Sequence, residues 1–287
     1  MTMSNYRTST LFHFTKSFAT IKSIVTNGLQ PSYCREVQKF PKNTEYEVGI
    51  PMVSFCDIPI MRCDEISKRY GKYAIGLSKK WGLAENINPI LYIQDNVELS
   101  DAAHRIVSIA HSSKIEHQRI LDNNYGNPSA TGTCRVKYLD GKEIDETAET
   151  FEAHYRHYES SVVRNLFFGY SKAYNIKYRD KTICAYEENE WRYVIPYWAD
   201  TFKWFWGKEE CDKYLSDKSK LPKMPKLRFK IDDVNFILVK NEKEVIKLVR
   251  LIKSYKINLF GGRQIAENER DILLTKIISF ERIKNNY

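Results

Sequence analysis

Apolar positions along this chain recur with two different periods, and the places where the period changes mark its elements. Leu11–Thr15 reads as a short strand in which His13 faces away from Phe12 and Phe14. Phe18, Ile21, Ile24 and Val25 then repeat at helical spacing across Ser17–Asn27, and Gly28 closes that helix. Residues 35–50 are charged and turn-rich and read as a loop over a pocket. Met52–Cys56 is a second strand, ended by Asp57-Ile58-Pro59. Ala74–Leu77 is a third, followed by a basic turn at Lys79–Gly82 and a strand at Pro89–Ile93. From Glu98 to Asp122 the period becomes helical, with Ala102, Ile106, Ile109 and Ala110 on one stripe. A loop or linker at 123–150 leads to a second helix over Glu149–Tyr170. Towards the end come a buried-looking strand at Phe236–Val239 and an amphipathic helix over Glu242–Tyr255. Strand-like segments at Lys256–Phe260 and Thr275–Arg282 follow, with a short helix between them. The pattern predicts an α+β fold in one domain spanning 1–287, with a helical insertion at about 98–170.

The most unusual polar pattern lies in Ala185–Val194, where three carboxylates and Arg192 sit among aromatic and apolar residues. Period two places Glu188, Glu190 and Arg192 on one face of a strand and Trp191 and Tyr193 on the other. Two explanations compete: a solvated edge strand carrying an ion pair, or a pair of carboxylates with a substrate to act on. His13 is read either as a core histidine bonded to backbone or as a ligand-facing one. Ser54, the one polar residue in its strand, is read as a tolerated hydroxyl or as one that orients a ligand.

Composition narrows the class. Apolar content of 43% with 13% aromatics argues for a packed core and against disorder. The formal charge of +9 attracts polyanions. Six scattered cysteines include no C-x-x-C pair, and there is no signal-peptide pattern, so a reduced, cytoplasmic protein without structural disulfides is expected. No run approaches the roughly 20 apolar residues of a membrane span, so no membrane partner is expected. His104, His111 and His117 lack carboxylate or cysteine partners on their face and read as surface residues, so no metal site is expected. Trp198, Phe202, Trp204, Phe205 and Trp206 form an aromatic cluster suited either to a core or to stacking on nucleobases. Six cations at Lys218, Lys220, Lys223, Lys226, Arg228 and Lys230, interrupted by Pro222 and Pro225, make an exposed basic loop. Lys223, Lys226, Arg228, Lys230 and Trp204 are therefore the candidate contacts to nucleic acid.

Five segments occur in a telling order: Leu11–Thr15, Asn27–Leu29, Met52–Pro59, Tyr70–Leu77 and Tyr186–Arg192. The set resembles the AbiGi family of bacterial abortive-infection proteins, linked to phage resistance and also described as the antitoxin half of a two-gene system. The order also resembles the ADP-ribosyltransferase superfamily, which implies a split, mixed β-sheet core with NAD as co-substrate and no metal. On that resemblance His13, Thr15, Ser54, Phe55 and Tyr33 would line the NAD site. Glu190 would be the catalytic glutamate, with Glu188 two residues before it. The serine strand reads Val-Ser-Phe rather than the superfamily's usual Ser-Thr-Ser.

Those resemblances imply an ADP-ribosyltransferase toxin or effector of phage defence, held in check by a cognate antitoxin or partner protein. RNA is the expected acceptor and protein the alternative. A non-catalytic antitoxin or regulator is the rival from another class, and a metal-dependent nuclease is a third.

Overall fold

A computed structural model describes residues 8–40, 44–94, 98–124, 133–137, 143–178, 181–195, 202–254, 259 and 265–286. The chain begins with β1 (Thr10–Thr15), α1 (Phe18–Asn27) and the long strands β2 (Ser32–Phe40) and β3 (Thr44–Cys56). Next come α2 (Cys63–Tyr70), β4 (Tyr73–Ser78), α3 (Lys79–Ala84), β5 (Asn88–Pro89) and β6 (Leu91–Ile93). The helical segment comprises α4 (Glu98–Asn124), β7 (Thr133–Lys137), β8 (Glu143–Thr147) and α5 (Ala148–Gly169). After it the chain forms β9 (Ser171–Ala173), β10 (Asn175–Tyr178), β11 (Lys181–Cys184) and β12 (Glu190–Val194). The final part holds β13 (Phe205–Trp206), α6 (Gly207–Leu215), β14 (Val234–Val239), α7 (Glu242–Lys253), α8 (Glu267–Leu274), β15 (Ile277–Ser279) and α9 (Phe280–Asn286).

Local chemistry explains the main boundaries. Ser17 ends β1 and starts α1 by accepting a hydrogen bond from Thr20 N at 3.1 Å. Ser78 does the same between β4 and α3, with Trp81 N as donor, and Asn241 caps α7 through Glu244 N.

The main sheet is mixed and runs β15-β14-β4-β1-β3-β12-β5, with β2 and β13 also paired to β3. β14 and β15 are parallel, and the other neighbours are antiparallel. Strand β3 divides one of its edges between two partners. Its residues Thr44–Met52 pair with β2, and Cys56 pairs with Phe12 of β1. The other edge pairs with β12 and then β13. The helical segment runs from β6 to β9, and those two short strands close its base as a parallel pair separate from the main sheet.

One face of the sheet carries Leu11, Val53, Phe55, Ile75 and Leu77 against Ile21 and Val25 of α1, Trp81 of α3, and Leu248 and Ile252 of α7. The opposite face packs Phe12, Cys56 and Ala74 against Cys63 and Ile66 of α2 and Ile283 of α9. Farther along that face, Ile50 and Met52 meet Ala103 of α4 and Phe168 of α5.

Several expectations from the sequence change. Residues 35–40 and 44–50 are strand rather than loop: they pair as β2 and β3, with Arg35 and Glu47 bonded on one face and Glu36 turned to the other, towards Arg192. Lys79–Gly82 is the start of α3, which buries Trp81. Within 123–150 a β7–β8 hairpin forms. The buried positions of α4 include Ala103, Ala110 and Ile120, while Ala102 and Ile109 are exposed, a shift of about one residue around the helix. Pro89–Ile93 divides into β5 and β6, which join different sheets. Trp198 and most of Lys256–Phe260 lie outside the described residues.

Gly71 closes α2 with φ of +107°, and a Cβ there would stand 2.4 Å from Thr15 O and 2.5 Å from Lys16 Cα, both backbone atoms. Gly71→Ala is therefore expected to destabilise the fold by about 3 kcal/mol, read as a lower midpoint of urea unfolding. An unchanged midpoint would contradict this close approach of α2 to the end of β1.

Candidate functional site

The carboxylate stretch does not form one continuous strand. Ala185–Glu188 is a turn of 3-10 helix, Asn189 takes the left-handed conformation (φ 42°, ψ 55°), and only Glu190 begins β12. The asparagine carbonyl accepts from Asp57 N, which fixes the kink beside β3. The kink, rather than a period of two, brings Glu188 next to Glu190.

Nor is β12 an edge strand carrying a solvated ion pair. It lies between β3 and β5, and its Glu190, Arg192 and Val194 are buried. Arg192 has no exposure, and Glu188 and Glu190 keep 2% and 4%. Charges so enclosed must be paired and hydrogen-bonded. Arg192 donates from Nε to Glu190 Oε1 at 2.7 Å, and from Nη2 to Glu36 Oε2 at 3.0 Å and Glu190 Oε2 at 3.4 Å. Its Nη1 donates to Gly169 O and Ser171 O at 3.2 and 3.1 Å. All five guanidinium donors thus have acceptors.

Lys172 of β9 reaches both carboxylates at once, with Nζ 3.0 Å from Glu188 Oε2 and 2.9 Å from Glu190 Oε2. Tyr70 Oη donates to Glu188 Oε1 at 2.8 Å, and Arg69 Nη1 stands 3.2 Å from the same oxygen. Glu190 N donates to Tyr92 Oη at 2.7 Å. Three carboxylates (Glu36, Glu188, Glu190) therefore face three cations (Arg69, Lys172, Arg192), and the cluster is neutral.

Burial alone would raise the Glu190 pKa, but Arg192 and Lys172 outweigh it by charge and hydrogen bond and hold the carboxyl well below the usual range. Burial would lower the Lys172 pKa, yet Glu190, Glu36 and Glu188 lift it well above the ordinary lysine value. Tyr70 and Tyr92 are both pushed up, first by burial, and stay protonated.

The other expected site residues divide between the two faces of the sheet. Ser54 lies opposite Arg192 in the β3–β12 register and shares its face. His13 stands on the opposite face, its ring 5.8 Å from that of Phe55. Its Nδ1–H donates to Ser54 O at 2.9 Å, in the gap where β3 leaves β2 and joins β1. Burial lowers the His13 pKa against the pull of that carbonyl, so the ring is neutral. Of the two readings, the geometry is that of a histidine bonded to backbone. Thr15 is buried at the end of β1. Tyr33 is buried opposite Pro51 of β3, whereas Glu190 lies opposite Cys56; its ring is tilted against Phe205 at 4.8 Å and its hydroxyl donates to Lys203 O. The structure therefore does not gather His13, Thr15, Ser54, Phe55, Tyr33 and Glu190 into one pocket.

Trp204 is 2% exposed and donates Nε1–H to Ile195 O, so it is a core residue rather than a stacking surface. Lys223, Lys226, Arg228 and Lys230 are exposed, as expected. His104 and His111 are exposed, but His117 is half-buried, with ring centroids 4.9 Å from His154 and 5.5 Å from His157. Among the described residues no group of three or more His, Cys, Asp or Glu could hold a metal ion, and no helix is long and apolar enough to cross a membrane.

Sequence reasoning missed Lys172, Glu36, Arg69, Tyr70 and Tyr92. Their partners are 16 to 156 residues away, so no local spacing announces them. The available signal was chemical: carboxylates set in an apolar strand require cations from elsewhere.

The molecule thus defines a class of α+β proteins with a mixed sheet and a buried, charge-balanced network at its centre. It belongs to the AbiGi family: the family model described as "Putative abortive phage resistance protein AbiGi, antitoxin" matches residues 27–240. It is also similar to "Abortive phage resistance protein AbiGi" of Lactococcus lactis subsp. cremoris, 24% identical over 274 residues, covering 86% of this chain and 97% of that protein. No solved structure matches.

Removing one partner from a buried pair leaves an uncompensated charge. Lys172→Met is expected to cost about 3–5 kcal/mol in urea unfolding. Adding Glu190→Gln to that variant should cost less than Glu190→Gln alone, because the two share one contact. The pH sign follows from the shifts. The lowered Glu190 pKa gives stability that is present above the ordinary carboxylate range of ~4.3 and lost as pH falls below it. The raised Lys172 pKa gives stability that is full below the ordinary lysine range and lost only as pH rises through the folded value. Urea midpoints measured from about pH 3 to 7 should fall on the acid side, and Glu190→Gln should flatten that fall. An equal acid slope in both proteins would contradict the pairing.

Proposed function

We propose that this chain is the antitoxin of an abortive phage-resistance pair and acts by binding a partner toxin, not by turning over a substrate. The observation that carries this reading is the closure around Glu190. Both oxygens of that carboxylate are held by Arg192 and Lys172, and Glu188 is held by Lys172, Tyr70 and Arg69. A carboxylate so engaged has no free oxygen for a ribose hydroxyl or an acceptor. The family's description as an antitoxin agrees with it, and the name of the lactococcal relative supports a role in phage resistance. The helical segment supplies apolar surface for a protein partner: Ile109 and Ile115 on α4 are 59% and 56% exposed, and Val163 and Leu166 on α5 are 52% and 50% exposed.

A second reading, NAD-dependent ADP-ribosyl transfer, has its own supporting observation. The strands carrying His13, Ser54 and Glu190 are neighbours in the sheet, β1-β3-β12. Glu190, held ionised, could stabilise the oxocarbenium character that develops as nicotinamide leaves, with Glu188 positioning an acceptor on RNA or protein. In this reading Lys172 must first release both carboxylates, and His13 acts on the sheet through Ser54 rather than on NAD.

Co-expressed with its toxin, the chain is expected to restore growth, and Glu190→Gln should do so equally when circular dichroism confirms its fold. Ile115→Glu with Val163→Glu should weaken the rescue. Labelled NAD incubated with the chain and RNA or lysate should leave no label on macromolecules. Transferred label that disappears in Glu190→Gln would replace the binding reading with the transferase one.

A further inference from the structure

We propose that the segment Lys223–Lys230 is a binding site for a single-stranded nucleic-acid backbone, recognised by charge without base stacking. The inference is independent of toxin binding. It starts from an alternation: Met224, Leu227 and Phe229 are buried at 5%, 4% and 4% exposure, and Lys223, Lys226, Arg228 and Lys230 point outwards. Lys226, Arg228 and Lys230 occupy every second position, so their side chains leave the backbone about 6.6 Å apart where it is extended.

The backbone beneath them is fixed. Leu227 exchanges both hydrogen bonds with Leu29, at 2.9 and 3.0 Å. Gln30 Nε2 donates to Met224 O at 2.7 Å, and Trp81 Nε1 donates to Arg228 O at 3.1 Å. Gly28, with φ of +86°, allows the close approach, since a Cβ there would stand 2.7 Å from Leu227 O. Pro222 and Pro225 stiffen the entry. The outward cations are therefore held in a row, and little backbone freedom remains to be lost when a ligand binds.

The side chains of the row are also without ion-pair partners, and Asp233 accepts from the backbone of Lys230 rather than its ammonium. Residues 218–230 contain no Asp or Glu. Among the described residues none of these four cations has a carboxylate within ion-pair distance, whereas nearby Lys203 and Lys220 are engaged by Glu210 and Asp217. The even spacing of Lys226, Arg228 and Lys230, with Lys223 just before them, suits a regularly repeating polyanion, which releases its condensed counterions on binding. Phe229 and Trp204 are buried, so among the described residues these rings offer no stacking platform, and no base preference is expected.

The test is anisotropy titration of labelled oligouridine and oligothymidine between about 50 and 200 mM salt. Three proteins are compared: the native chain, Lys223→Gln/Lys226→Gln/Arg228→Gln/Lys230→Gln, and the charge-matched Lys243→Gln/Lys247→Gln/Arg250→Gln/Lys253→Gln on α7. The native chain should bind both oligomers with a log–log salt slope of about −2 to −3, from ~0.7 per phosphate contacted. The segment variant should lose at least about tenfold in affinity at low salt and most of the slope, and the α7 variant should keep both. No binding by the native chain overturns the proposal, as does equal loss in the two variants, which would indicate net charge alone. Unchanged oligonucleotide binding with lost toxin binding in the segment variant would also overturn it, in favour of an acidic protein partner.

Discussion

A guanidinium removed from water needs an acceptor for each of its five donors, and Arg192 finds them on three different parts of the chain. Glu190 lies on its own strand, Glu36 on β2, and Gly169 and Ser171 at the junction of α5 with β9. This one requirement ties β2, the base of the helical segment and β12 into a single arrangement. Lys172 extends it to Glu188, and through Glu188 to Tyr70 and Arg69 at the end of α2. Because the six charges cancel, burial is tolerable only when all are present, so the cluster specifies position more than it adds stability.

The same closure bears on function. Carboxylates set apart for chemistry usually keep an oxygen accessible to the reacting group. Here the accessible features lie elsewhere: apolar side chains along α4 and α5, and the row of cations outside the segment at 223–230. Both are exposed and are the surfaces on which the proposed partner binding would rest. The buried network anchors the base of α5 through Gly169 and Ser171, whereas the 223–230 segment is held separately by Leu29, Gln30 and Trp81.

What was legible in the sequence follows from the range of the interactions. Strands β1, β4 and β14 and helices α1, α4, α5 and α7 follow apolar period and local caps such as Ser17 and Asn241, so they were predicted in place. The basic segment was legible as exposed because prolines exclude a helix and lysines resist burial. Strand β2 and the first part of β3 were not legible, since Arg35, Glu36, Glu45 and Glu47 resemble a loop until Arg35 meets Glu47 and Glu36 meets Arg192 across the assembled sheet. The candidate site was half legible. Glu188, Glu190 and Arg192 stood out as charges among apolar residues, but the kink at Asn189 and the long-range partners Lys172 and Glu36 arise only when the sheet is assembled. Trp204 shows the ambiguity of an aromatic cluster, where the same rings serve a core or a stacking surface.

If the chain works by association while its buried carboxylates hold the fold, NAD should have no effect on partner binding. Isothermal titration calorimetry of the purified chain against a partner toxin, with and without NAD, tests this most directly, with free nicotinamide assayed in the same samples. It should then give a stoichiometric complex of equal affinity in both conditions and no nicotinamide released. Nicotinamide release by the chain alone, abolished in a folded Glu190→Gln variant, would contradict it.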